Sequence, residues 1–129
     1  MRPAIFSINQ QGTGQGAILN QDFSANSSTD PAARGSVVQV FATGLGATNP
    51  AVPSGQAAPA QPPANVVSLP QVQIGGQNAA VDFAGLAPGF VGLYQVNVIV
   101  PVGVQPGAAV SLVLRADGVP SNTVTVAVR

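Results

Sequence analysis

The chain contains no cysteine, histidine, lysine, glutamate or tryptophan. Without cysteine it has no disulfide, no thiolate nucleophile and no zinc–thiolate site. Without histidine, lysine and glutamate it lacks the usual general bases and the amine of Schiff-base catalysis. The remaining aspartate, serine, threonine and tyrosine side chains form no recognisable triad. We therefore expect a protein that is not an enzyme, with no catalytic residue and no cofactor.

Charge is also scarce, since ionisable side chains make up 6% of the 129 residues against about a quarter in a typical soluble domain. The net charge is zero, and the four arginines are scattered along the chain. A nucleic-acid interface needs clustered arginine or lysine to displace counterions from phosphates. The sequence therefore excludes nucleic acid as a partner.

No hydrophobic run is long enough to cross a membrane. The most apolar stretch, residues 96–104, is interrupted by Pro101 and Gly103, whereas a spanning helix needs about 20 apolar residues. Residues 1–6 lack the apolar region of a signal peptide. Because a surface of amides and hydroxyls with little charge is common in extracellular modules, we expect an extracellular or cell-surface location, with the export signal outside this chain.

What is abundant is glycine and proline, with 15 and 12 residues respectively. They recur at the spacing of turns in an all-β domain and leave no room for helices. The best strand lies at residues 93–100, where an apolar face alternates with a mixed face. The pattern predicts a single domain over residues 1–129, an immunoglobulin-like two-sheet β-sandwich of about seven to eight strands.

Two hairpins are predicted from turn chemistry. Residues 110–116 and 123–128 flank Asp117-Gly118, which suits a turn with positive φ, and Pro120 implies either a bulge or pairing that begins late. Residues 72–74 and 80–83 flank a Gly-Gly pair. Residues 45–69, rich in proline and alanine, are predicted to be a long surface loop.

Period-two alternation also predicts the core. Tyr94 is expected to fill it with its hydroxyl bonded to the backbone, since a buried tyrosine usually keeps a partner. The nine residues predicted to be buried together are Phe41, Val81, Phe83, Tyr94, Val96, Val98, Leu112, Leu114 and Val126.

Two segments have residue types found in ligand-binding sites, but ordinary loop and turn structure is enough to explain both. Asp22, Asn26 and Asp30 lie in one loop but lack the oxygen spacing of a calcium loop, so we expect no metal site. The glycine-rich residues 12–16 lack the lysine and the following helix of a phosphate-binding loop.

The segment around Ile5, Phe6 and Ile8 is a short apolar strand. It can pair within its own sheet or add to the sheet of a neighbour. Natural sandwiches guard their edges with lysine, inward charges or proline, and this chain has neither lysine nor glutamate. We therefore expect association with copies of itself or with other modules through strand edges, with Ile5, Phe6 and Ile8 as the candidate strand-addition segment.

Several ordered blocks carry a family resemblance: residues 16–22, 34–38, 41–46, 85–98 and 118–124. They resemble an uncharacterised C-terminal domain family of Solibacter-type acidobacterial exported proteins. The resemblance implies an immunoglobulin-like, extracellular, non-catalytic module and carries over no functional residue.

The predicted function is a structural or adhesive module, with the chain associating into a fibre or surface assembly. The alternative is a carbohydrate- or protein-binding accessory module of a larger secreted protein. Carbohydrate binding needs exposed aromatic platforms, and the chain has one tyrosine, five phenylalanines and no tryptophan. An exposed, coplanar pair of Phe23 and Phe90 would favour that alternative.

Overall fold

The computed structural model describes residues 3–53, 55–58 and 64–129. These residues form an all-β fold with two antiparallel sheets packed against each other, which confirms the predicted β-sandwich. No helix occurs among them. The strands are β1 (Ala4–Ile5), β2 (Ile18–Leu19), β3 (Val37–Thr43), β4 (Thr48–Asn49), β5 (Asn65–Val66), β6 (Gln71–Ile74), β7 (Gln77–Ala79), β8 (Val81–Leu86), β9 (Tyr94–Ile99), β10 (Gly107–Ala116), β11 (Val119–Pro120) and β12 (Val124–Val128).

The first sheet has the order β1-β3-β9-β8-β5-β4, with β2 also paired to β3. β3 and β9 lie at its centre because both alternate apolar and polar residues, which suits strands with one buried face. β1 pairs with one half of β3 through Ala4 and Thr43, and β2 pairs with the other half through Leu19 and Gln39. Two short strands thus divide one edge of β3 between them.

The second sheet has the order β11-β10-β6-β7, with β12 paired to β10. The C-terminal hairpin forms as predicted: Asp117 and Gly118 both have positive φ, 49° and 80°. The register changes between the β10–β11 and β10–β12 pairings, and Pro120 lies at this irregularity because it has no N–H to donate. There the Ser121 hydroxyl accepts the Leu114 N–H at 3.0 Å.

The second predicted hairpin has a different partner strand. The turn at residues 75–76 pairs Ile74 with Gln77 directly, so β6 pairs with β7 and not with residues 80–83. A two-residue turn sets this register, because the partner strand begins immediately after it. The chain then crosses to the first sheet, where β8 begins at Val81.

The core lies between the two sheets, and the prediction for it was mostly right. Five of the predicted residues are buried there: Val96, Val98, Leu112, Leu114 and Val126. Val81 and Tyr94 are partly buried and pack against them.

The core prediction was wrong for Phe41 and Phe83. In β3 the buried positions are the even-numbered ones, so Phe41 lies on the outer face, opposite Gln95. In β8 a register shift after Val81 places Phe83 on the same outer face, opposite Asn97. Period-two alternation predicted these aromatic rings to point inward, but the register of each strand in its sheet decides the face.

Within the segment 45–69, residues 54 and 59–63 lie outside the described residues, and the described part is not a structureless loop. It contributes β4 and β5, which pair with each other, and β5 also pairs with Gly85 of β8. A Cβ atom at Gly85 would collide with the carbonyl oxygen of Ala64. Glycine is therefore required here because another backbone passes close to the strand.

Candidate functional site

A groove of about 1230 Å³ runs between β1 of the first sheet and β11 of the second. Its apolar walls include two half-exposed side chains, Phe6 at 45% and Val119 at 40% exposure. The lining residues are Pro3, Ala4, Ile5, Phe6, Ser7, Gln10, Gly12, Val119, Pro120, Ser121 and Asn122. Among these described lining residues none carries an ionisable acid or base, so they offer no counter-charge to a charged ligand.

The described lining residues include two hydroxyl groups, and both are committed to structural hydrogen bonds. The Ser7 hydroxyl donates to Asn9 Oδ1 at 2.7 Å and accepts the Gly12 N–H at 2.8 Å. The Ser121 hydroxyl donates to the carbonyl of the next residue at 2.8 Å and accepts the Leu114 N–H. A serine nucleophile needs a base within hydrogen-bonding reach, and neither hydroxyl has one. Neither serine of the described lining is therefore arranged as an activated nucleophile.

Asn122 closes the outer edge of β1 at one end of the groove. Its Oδ1 accepts the Ile5 N–H at 2.7 Å, and its Nδ2 donates to the Ile5 carbonyl at 2.9 Å and to the Gly12 carbonyl at 2.7 Å. One side chain thus takes the place of a neighbouring strand. Nothing in the sequence pattern singled out Asn122, because its partners lie more than 100 positions away.

Proline occupies both walls of the groove. Pro3 precedes β1 and Pro120 ends β11, and proline has no N–H for a ladder. With Ile5 already bonded to Asn122, a partner in the groove meets side chains rather than free donors on these strands.

The predicted strand-addition segment is paired within its own molecule. Ile5 is 2% exposed in the core, and the Phe6 N–H donates to the Phe41 carbonyl at 3.1 Å. Ile8 is 57% exposed, and its N–H donates to the Gln15 carbonyl at 2.9 Å. Addition of this segment to a neighbour's sheet stays a prediction, and it requires these bonds to open.

Asn26 closes the outer edge of β12 in the same way. Its Oδ1 accepts the Ala127 N–H at 2.8 Å, and its Nδ2 donates to the Ala127 carbonyl at 2.9 Å. The Asn26 side chain is fully buried. We call Asn26 and Asn122 the carboxamide caps.

Backbone covers the rest of the β12 edge. On one side of Ala127, the Thr125 N–H donates to the Gly14 carbonyl at 2.8 Å, and its carbonyl accepts the Gly16 N–H at 2.9 Å. On the other side, the Arg129 N–H donates to the Ala32 carbonyl at 2.9 Å. The glycine-rich residues 12–16 thus contribute to edge cover, which explains their presence without a phosphate ligand.

Asp22 and Asp30 share a second, smaller hollow of about 250 Å³ with Arg129. The Asp22 carboxylate accepts the Ser24 hydroxyl at 2.5 Å and the Ser24 N–H at 3.0 Å. These hydrogen bonds, the hydroxyl first, hold the pKa of Asp22 below its usual value. A carboxyl that releases its proton so readily is a poor general acid.

Of the loop residues weighed for calcium, Asn26 lies apart from the hollow that Asp22 and Asp30 share. Asn26 points into the β12 edge, with its oxygen and nitrogen bonded to protein groups. Among the described ranges no group of three acidic, histidine or cysteine side chains converges. Asn26, which the sequence suggested as a possible calcium ligand, hydrogen-bonds the backbone of Ala127 at the edge of β12.

Phe23 and Phe90 are both exposed, at 68% and 58%, but they lie at opposite ends of the first sheet. Phe23 is in the β2–β3 connection, near the end where Val37 pairs with Ile99. Phe90 is in the β8–β9 connection, at the end where Leu86 pairs with Tyr94. They do not form the single aromatic platform that carbohydrate binding would use.

Tyr94 links the main core to a smaller cluster beneath the 45–69 segment. It packs against Ala58, Ala64 and Leu86, and its hydroxyl donates to the Gly46 carbonyl. Burial raises the pKa of Tyr94 above its ordinary value. The phenol therefore stays neutral and acts as a structural donor, as the sequence predicts.

Comparison with known protein families, curated proteins and solved structures found no match to this chain. In the part of the chain that the structure describes, no helix is long and apolar enough to cross a membrane. The groove and the strand edges are therefore the features of the molecule that bear on its function.

Proposed function

We propose that the chain is a non-catalytic, extracellular structural or adhesive module that contacts other modules or copies of itself through the groove between β1 and β11. The observation that carries this proposal is the groove's lining. The described lining residues are mostly apolar with two carboxamide side chains, none of them is ionisable, and both of their hydroxyls are already hydrogen-bonded. Such a surface can hold a partner but cannot supply a nucleophile or a general base.

The occupant we favour is an uncharged segment of a second copy. A charged segment would lose hydration in the groove without gaining a partner for its charge. Copies of this chain carry no net charge, so no long-range repulsion keeps them apart. Association through the edges of β1 or β12 would first have to break the bonds to Asn122 or Asn26, whereas contact in the groove leaves them intact.

The alternative function is an accessory module that binds carbohydrate or an unrelated protein. Within the groove, Phe6 is the single aromatic side chain among the lining residues. Sugar-binding sites commonly depend on aromatic faces, so the groove favours a polypeptide over a carbohydrate occupant.

Sedimentation of the parent chain over a range of concentrations tests the proposal. We expect reversible association that is lost in Phe6→Ser, because this variant removes the largest exposed apolar group in the groove. The matched control is Phe23→Ser, which removes a phenylalanine outside the groove that is more exposed than Phe6, at 68% against 45%, and should associate like the parent. A parent chain that stays monomeric at high concentration, or equal loss in both variants, would overturn the proposal.

The extracellular location has its own test. An antibody against the chain should detect it in the secreted or cell-surface fraction of the source cells. Detection in the cytoplasmic fraction alone would contradict this part of the proposal and leave the binding experiment unaffected.

A further inference from the structure

We infer that Asn26 and Asn122 are edge guards: each keeps an outer strand closed to pairing with a second copy of the chain. The two strands are β12, covered by Asn26, and β1, covered by Asn122. The inference concerns the strand edges and does not depend on the groove being a binding site.

A carboxamide is suited to this task because it carries an acceptor and a donor side by side, as a peptide group does. Asn26 bonds both backbone groups of Ala127, whose carbonyl also accepts the Ala32 N–H at 2.9 Å, and Asn122 bonds both backbone groups of Ile5. An incoming strand would need the same N–H and C=O groups to extend the ladder. While the cap is in place, the N–H and C=O groups of Ala127 and Ile5 are already hydrogen-bonded and cannot pair with another strand.

The Asn26 cap is held in position by neighbouring amides. Its Nδ2 also donates to Asn20 Oδ1 at 2.9 Å, and its Oδ1 also accepts from Gln15 Nε2 at 3.0 Å. Asn20 is anchored in turn by donating to the Asp30 carbonyl at 2.8 Å. A side chain that only filled space would not need a second layer of oriented donors and acceptors.

The composition explains why guards of this kind are needed. Lysine on an edge strand or a net charge usually prevents sheets from joining, and this chain has no lysine and a net charge of zero. The edge strands β4 and β7 have two and three residues, and such short strands give little ladder to a partner. β1 also has two residues, so its cap adds to the protection that a short strand already gives. The five residues of β12 are a longer target, and the fully buried cap lies there.

The experiment uses Asn26→Ala and Asn122→Ala, each made in the Phe6→Ser background so that groove contacts do not contribute. Hydrogen exchange should show loss of protection at the Ala127 amide in the first variant and at the Ile5 amide in the second, by about tenfold or more. Thioflavin fluorescence and light scattering should then show β-sheet assemblies that grow with concentration and are absent from the background chain.

Two controls separate edge opening from simple instability. Val98→Ala loosens the core without touching an edge, and Asn97→Ala removes an amide from the outer face of the first sheet; both should stay free of thioflavin-positive assemblies. If an alanine variant does not fold, the corresponding serine variant provides the same measurements. Cap variants that stay unassembled despite lost protection, or a core variant that assembles equally, would overturn the inference.

Discussion

Asn122 bonds both backbone groups of Ile5, a residue 117 positions earlier in the chain, at 2.7 and 2.9 Å. The contact joins the second sheet's C-terminal hairpin to the outer edge of the first sheet. It is a tertiary contact that completes the secondary structure of β1, since β3 bonds the opposite side of that strand.

Replacing Asn122 with aspartate keeps the shape of the side chain but removes its two donated bonds. We expect Asn122→Asp to lower the free energy of unfolding by about 1 to 3 kcal/mol near neutral pH, because the carbonyls of Ile5 and Gly12 then face a carboxylate. The folded state would raise the pKa of the introduced carboxyl above that in the unfolded chain. The loss should therefore be small at low pH and grow as the pH rises through the folded-state pKa. An equal loss at about pH 3 and about pH 7 would contradict this account.

The core depends on side chains of β9 that the opposite sheet covers. Val98 is completely buried, so Val98→Ala should lower the free energy of unfolding by about 1 to 3 kcal/mol through lost burial and a residual cavity. Urea denaturation measures this difference. The adjacent Ile99→Ala, on the outer face at 37% exposure, is the control and should cost clearly less.

Gly85 and Gly89 differ in the reason that each is glycine. At Gly85 a Cβ would strike the Ala64 carbonyl, whereas at Gly89 there is open space but φ is +82°. We expect Gly89→Ala to cost about 1 to 2 kcal/mol of backbone strain and Gly85→Ala to cost more, because β5 must move away from β8. Thermal unfolding of the two variants provides the comparison, and the reverse order would show that β5 is easily displaced.

We expect ionisation of Tyr94 to lower the free energy of unfolding at alkaline pH. Burial raises its pKa in the folded state, so above about pH 10, where an unfolded tyrosine ionises, unfolding releases a proton that the folded chain retains. Stability from this group is present below the unfolded-state pKa and is lost as the pH rises through the folded-state pKa. Because Tyr94 is the single tyrosine, ultraviolet absorbance reports its titration alone. Tyr94→Phe should abolish the tyrosine-linked part of the alkaline loss, and an unchanged pH profile would contradict the assignment.

Chelation should leave the thermal stability unchanged. Asp22 is bonded to Ser24, and Asn26 is committed to the β12 edge, so the loop residues are not arranged as a calcium site. Melting in EDTA, compared with melting in added calcium, tests this expectation. A fall in Tm in EDTA that calcium reverses would mean that the loop binds a cation.

The sequence by itself predicted the two-sheet sandwich, the β9 strand and the Asp117-Gly118 turn. These features depend on local properties: the spacing of glycine and proline, period-two alternation and the φ angles that a turn requires. The sequence pattern assigned Phe41 and Phe83 to the wrong face of the sheet. The face of each residue depends on strand register, and for Phe83 also on a bulge, which the alternation of residues does not reveal.

Tertiary structure alone decided the groove and the carboxamide caps. Asn26 and Asn122 are ordinary loop asparagines in the sequence, and each acquires its partner from an element more than 100 positions away. Hydropathy and turn rules act over a few residues, whereas a cap exists only when two distant edges meet at hydrogen-bonding distance. The sequence by itself determines that the chain folds into β-sheets and that it has no lysine or glutamate to protect their edges. The packing of the two sheets determines which asparagine side chains hydrogen-bond those edges.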